Sequence, residues 1–125
     1  MPLITSLTLC ILFTFFSGIS AALAQTYPTK ALRLVVASSP GSGVDIVARV
    51  VSPKLAEALG QQVIVDNRAG AGGNLGAAFA ARSAPDGYTL FLATPAHAIS
   101  GSIPDSKSGY DMIRDFAPIS LLTTG

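Results

Sequence analysis

Short apolar runs rich in β-branched residues alternate with stretches of helical periodicity along this chain, and that alternation limits its fold more than any other feature. Residues 32–37 lie between Pro28 and the loop-forming Ser38-Ser39-Pro40-Gly41, so they read as a buried strand. In residues 44–59 the apolar positions Val44, Val47, Val51, Leu55 and Leu59 share one face of a helix. Asp45 falls in its first turn and Gly60 just beyond its last, the expected polarity of start and stop signals. Pro53 opposes this pattern, because it lacks the N–H of an interior helical bond and should kink or split the helix. Residues 62–66 form a second strand-like run, and residues 75–83 an Ala-rich helical stretch stopped near Pro85-Asp86-Gly87. A third strand follows at residues 89–93. Residues 94–108 are polar and rich in Gly, Pro and Ser, and read as a loop with Ile99 and Ile103 as isolated apolar anchors. Residues 116–123 read as a fourth strand.

The resulting order, β-α-β-α-β-loop-β, predicts an α/β fold with a mainly parallel sheet and helices on both faces. Ligands of such sheets bind beyond the carboxyl ends of the strands. Two segments are expected at that edge, residues 38–44 after the first strand and residues 94–100 after the third.

The N-terminus indicates the compartment. No charged side chain precedes Lys30, residues 3–19 are almost wholly apolar, and Ala22-Leu23-Ala24 fits the small-residue pattern of a signal-peptide cleavage site. Residues 1–24 therefore read as a signal peptide, with Gln25 as the new N-terminus and the periplasm as destination. The apolar stretch, interrupted by Ser17, Gly18 and Ser20, is short for the ~20 residues of a spanning helix. The single cysteine, Cys10, lies inside this segment and follows Leu9, too large a residue for a lipoprotein box. Disulfides, thiolate metal sites and cysteine nucleophiles are thereby excluded from residues 25–125. A formal net charge of +1 offers no electrostatic footprint for nucleic acid or an anionic membrane. The last strand-like run stops two residues before Gly125, which reads as the interruption of a longer protein.

Each motif admits a structural and a functional reading. Ser38-Ser39-Pro40-Gly41-Ser42-Gly43 runs directly into a helix start, where backbone N–H groups and the helix dipole favour an anion. An ordinary βα turn explains that pattern equally well. Gly70-Ala71-Gly72-Gly73-Asn74-Leu75-Gly76 follows a strand and precedes a helix, yet a dinucleotide fingerprint starting at Gly70 would need glycine where Leu75 stands. A structural turn is the better explanation. His97, the only histidine, has no nucleophile elbow to serve and no cluster of ligand-spaced acidic residues beside it. It reads as a loop residue, with a donor role towards a ligand open to it. Asp45 at a helix start reads as a partner of the first-turn N–H groups before it reads as a general base. No metal or cofactor is called for, and an enzyme is disfavoured.

Five ordered motifs carry a family resemblance. They are Tyr27-Pro28-Thr29-Lys30; Pro40-Gly41-x-Gly43-x-Asp45; Asn67-Arg68-x-Gly70-Ala71-Gly72-Gly73-Asn74-x-Gly76; Ala84-Pro85-Asp86-Gly87-Tyr88-Thr89-Leu90; and Asp115-Phe116-Ala117-Pro118-Ile119. Together they resemble the tripartite tricarboxylate transporter receptors, periplasmic solute-binding proteins of the Bordetella-uptake-gene type. The resemblance implies that residues 25–125 are the first lobe of a two-lobed type II periplasmic-binding-protein fold, with the second lobe missing. It implies a small organic carboxylate as ligand, membrane transport subunits as partners, and a monomer that binds no nucleic acid. Carried over residue by residue, the first ligand loop falls on Ser39, Gly41, Ser42, Gly43 and Asp45. The second falls on Thr94, Ala96, His97 and Ser100. Val44 stands where the family carries a hydroxyl, and Ser100 where an Asn is common. The alternative reading is a non-binding remnant or interaction protein of the same fold.

Overall fold

The computed structural model describes residues 26–103 and 107–123. The expected signal peptide therefore lies outside the described residues. Strand β1 (Leu32–Val36) is followed by helix α1 (Gly43–Leu59), strand β2 (Val63–Asn67), a 3-10 turn (Ala71–Gly73), helix α2 (Asn74–Ala81), strand β3 (Thr89–Leu92) and helix α3 (Pro95–Ser102).

β1 is central, pairing in parallel with β2 on one side and β3 on the other, so the sheet order is β2-β1-β3. Leu34 lies opposite Val65 and Leu90, and Val35 opposite Asp66 and Phe91. The two-residue period of a strand then separates the core into two faces. On one, Leu34, Val36, Val63, Val65, Leu90 and Leu92 pack under α1 through Ala48 and Val44. On the other, Phe91 packs with Ala77, Ala78 and Ala81 of α2 and with Tyr110, Met112 and Phe116. β1 contributes hydrophobic side chains to both faces; Leu32, Val35 and Val36 are fully buried, as expected for the middle strand of a covered parallel sheet.

Local sequence explains the element ends. Ser42 caps α1 by accepting the Asp45 N–H at 3.2 Å, and Gly60 closes it in the left-handed conformation. The helix runs through Pro53 without splitting. Pro53 is solvent-exposed, while Ala48 and Ser52 press against the sheet, and packing along the helix offsets the missing bond.

Two sequence expectations need correction. Residues 94–108 are not a continuous loop, because Pro95–Ser102 is helical. Thr94 supplies the N-cap and Pro95 occupies the first turn, a start signal in which proline's missing N–H costs nothing. Residues 116–123 do not form a strand. Phe116 packs against Phe91 with ring centroids 5.3 Å apart, but Ile119 and Leu121 beyond it are about four-fifths exposed, and among the described residues the sheet holds only β2, β1 and β3.

Candidate functional site

The chain leaves β1 towards α1 on one face of the sheet. After β3 it enters α3, which packs beside α2 on the other face. Adjacent strands whose connections depart to opposite faces define the switch point where α/β sheets bind ligands. The segments at that point are residues 37–42 after β1 and 93–94 with the start of α3 after β3; the sequence expectation is residues 38–44 and 94–100.

The first segment is held from within. Asp45 is 2 % exposed, and its carboxylate takes three donors: the Gly41 N–H at 2.8 Å and Arg49 Nε at 2.9 Å on Oδ2, and Asn67 Nδ2 at 2.9 Å on Oδ1. These bonds, with that of Arg49 foremost, hold the carboxyl down at about 2. Asn67 Nδ2 also donates to the Ser38 carbonyl at 3.2 Å, and Asn67 Oδ1 accepts from Arg49 Nη2 at 3.3 Å. Asp45 is thus the internal anchor of the loop, with its charge matched by Arg49 and turned away from solvent.

That anchoring determines which N–H groups remain for a ligand. A helix start leaves four without an intrahelical acceptor. In α1 the Ser42 N–H reaches the Ser39 carbonyl at 3.2 Å, and the Asp45 N–H reaches Ser42 Oγ. The N–H groups of Gly43 and Val44 complete the set, at the positive end of the helix dipole. Ser42 Oγ also lies 2.7 Å from Ser38 Oγ, so the two hydroxyls share a hydrogen bond, while Ser39 and Gly41 are exposed.

In the second segment the structure turns His97 inward. Its ring is buried edge-on to Phe91, and Nδ1 accepts the Thr94 N–H at 3.0 Å, with Thr94 Oγ1 at 2.9 Å. This is the reciprocal half of a capping box, with histidine in the place usually held by Glu or Gln. Nδ1 is therefore an acceptor, and the proton of the neutral ring resides on Nε2. Burial lowers the His97 pKa. Ala96 is exposed at the start of α3, and Ser100 is half-buried and already engaged.

The glycine-rich segment between them is a packing device. A Cβ on Gly76 would lie 2.7 Å from Ala37 Cβ and 2.8 Å from the Arg68 carbonyl oxygen; one on Gly73, whose φ is +94°, would meet His97 Nε2. Glycine here lets α2 approach the end of β1 and makes room for the histidine ring. Asn67 and Arg49, absent from the residues selected by sequence, emerge as the support of the first loop. The available signal was the Asn67-Arg68 pair opening a recognised motif. Among the described residues no three His, Cys, Asp or Glu side chains converge as metal ligands, and no helix is long and apolar enough to cross a membrane.

Comparison with known proteins follows the same lines. Residues 47–125 match the family described as "Tripartite tricarboxylate transporter family receptor". A UPF0065 protein of Bordetella bronchiseptica is 43 % identical over 103 residues, covering 82 % of this chain and 31 % of the relative. MatC of Rhodopseudomonas palustris, solved with bound malate, is 36 % identical with a TM-score of 0.68, covering 77 % of this chain and 33 % of that one. Rpa4515 of R. palustris, solved with adipate, is 35 % identical with a TM-score of 0.62, covering 68 % and 28 %. The periplasmic binding protein BugD is 34 % identical with a TM-score of 0.63 over the same shares. The chain spans about a third of the length of these relatives. Its relatives are periplasmic solute-binding receptors, and the chain itself belongs to the tripartite tricarboxylate transporter receptor family.

Proposed function

We propose that this chain forms one lobe of an extracytoplasmic receptor that binds small organic carboxylates and delivers them to the membrane subunits of a tripartite tricarboxylate-type transporter. The observation that carries this reading is the N-terminus of α1 at the switch point, where the Gly43 and Val44 N–H groups stand beside the Ser39 and Gly41 loop while the nearby carboxylate is neutralised inward by Arg49. Oriented amides at a dipole's positive end suit a carboxylate without requiring a cation in the site. Malate and adipate, the acids bound by two relatives, differ in length and hydroxylation but share terminal carboxylates, which supports a site built for that group.

Capture without turnover also fits the site. Ser42 Oγ is occupied as a helix cap, and His97 Nδ1 is occupied by Thr94, so the two groups most suited to nucleophile and base serve the backbone instead. Residues 1–24 direct the chain to the periplasm and are removed, residues 25–125 form the lobe, and the receptor acts as a monomer. Ser39, Gly41 and Gly43 line the ligand with Ala96 and Thr94 across the switch point; Ser42 and Asp45 hold the first loop, and His97 and Ser100 the second.

Thermal unfolding of the chain with malate, adipate and other small carboxylates tests this, with inorganic phosphate as a control anion. A ligand that binds only the folded state stabilises it by RT ln(1 + [L]/Kd), so at ~100 Kd the gain is about 2.7 kcal/mol. The expected result is a raised melting temperature with at least one carboxylate and none with phosphate. A panel of carboxylates with no effect would remove the binding reading. It would leave a non-binding interaction module of the same fold, the reading to which the exposed Ile119 and Leu121 point.

A further inference from the structure

We infer that Asn67 is a positioning residue of the binding site, acting from the end of β2 through Asp45 on the loop that follows β1; this rests on the carboxylate-binding reading of that loop. Asn67 touches three parts of the first site at once. Its amide nitrogen donates to Asp45 Oδ1 at 2.9 Å and to the Ser38 carbonyl at 3.2 Å, and its amide oxygen accepts from Arg49 Nη2 at 3.3 Å. Asp45 in turn takes the Gly41 N–H at 2.8 Å and Arg49 Nε at 2.9 Å. The cluster closes on itself: Asn67 aligns one carboxylate oxygen, leaving the other for Gly41 and Arg49.

The geometry has a consequence for recognition. A carboxylate in the first turn of the helix would repel an anionic ligand if it faced the same space as the Gly43 and Val44 amides. Asn67 is the neutral donor that holds this carboxylate inward, and an aspartate there would set two carboxylates face to face. Gly41 must spend its N–H on Asp45 to give the loop its turn, with φ at +83°. Asn67 also directly precedes Arg68, whose N–H bonds the Val36 carbonyl at 2.8 Å, so the side-chain cluster sits where the backbones of β1 and β2 are already joined.

The test uses the full chain with Asn67→Asp, and with the exchanged pair Asp45→Asn plus Asn67→Asp. The exchange restores the match with residue 45 and Arg49 but not the bond to Ser38: the new amide at 45 accepts from Gly41 and donates to the new carboxylate at 67, which takes Arg49, while the Ser38 carbonyl loses its donor. Amide hydrogen exchange of Gly41 is read against Val35 in the buried centre of β1. The expected result is that Asn67→Asp speeds Gly41 exchange about tenfold or more relative to Val35, and that the exchanged pair recovers part of this protection, the bond to Ser38 staying lost. Malate and adipate titrations should weaken and recover in parallel. Gly41 exchange unchanged by Asn67→Asp would overturn the proposal, as would an exchanged pair no better than the single variant. If the single variant does not fold, a folded exchanged pair with a protected Gly41 supports the proposal, and an unfolded one overturns it. Absence of binding by the unmodified chain counts against the carboxylate reading alone, because the exchange measurement still decides the role of Asn67.

Discussion

Asp45 and His97 are both buried and both titratable, and their environments push stability in ways that pH separates. Hydrogen bonds from Arg49, Gly41 and Asn67 bring the Asp45 pKa to about 2. An unfolded aspartate titrates near 3.9, so the folded state favours the ionised form. That contribution is complete above about pH 4 and disappears as pH falls through about 2. Asp45→Asn should therefore be less stable than the unmodified chain at pH 6, with the gap narrowing below pH 4 in melting curves taken across that range. For His97, burial favours the neutral ring, and its folded pKa lies below the ordinary value of about 6.5. Falling pH protonates the unfolded chain first, so stability drops from about pH 6.5 downward until the folded pKa is passed. His97→Gln, which can still accept the Thr94 N–H, should flatten the pH dependence of melting between pH 7 and 5. Because the chain contains one histidine, the NMR signal of its imidazole reports the titration directly.

The helices show how element boundaries depend on more than apolar spacing. The start of α1 was legible from Asp45 and its end from Gly60, because such signals are local, while the cap by Ser42 came from the structure. The start of α3 is equally local, with Thr94 followed by Pro95, but its few apolar residues give no convincing periodic face. The helix exists because His97 and Gly101 are buried against the 3-10 turn and Tyr110, contacts made by residues distant in sequence. At α2, Gly76→Ala would gain about 1 kcal/mol of helix propensity but drive a methyl group into Ala37 and Arg68. Overpacking of this kind costs ~1–3 kcal/mol, so we expect net destabilisation in urea titrations. Gly72→Ala meets no neighbouring atom, so its cost should be limited to the left-handed backbone, ~1–2 kcal/mol.

The whole molecule is a small parallel sheet with its two faces covered separately. Leu34 belongs to the face under α1, and Leu34→Ala should cost ~2–5 kcal/mol, a large part of the stability of so small a unit. The segment after Phe116 contributes far less. Ile119→Ser and Leu121→Ser should each change unfolding free energy by no more than about 0.5 kcal/mol, since both side chains face solvent. A larger loss would show that these residues bury themselves in solution.

By itself the sequence determined the alternating parallel architecture and the extent of three strands and two helices to within about two residues. These follow from hydrophobic period, caps and turn residues, which act over a few positions. Its apolar run at residues 116–123 suggested a strand, but strand formation needs a neighbouring edge to supply hydrogen bonds, and pattern cannot show whether one is present. Only the tertiary structure decided that Asp45 faces inward, that the His97 ring is buried against Phe91 and Gly73, and that Asn67 ties the end of β2 to the loop after β1. Each of those roles depends on a partner from another element: Asn67 lies 22 residues from Asp45, and the Gly73 backbone meets the ring of His97. The bonds of Asp45 to Gly41 and Arg49 and of His97 to Thr94 are local, whereas the bonds of Asn67 and the burial of the His97 ring were set when the sheet brought the strand ends together.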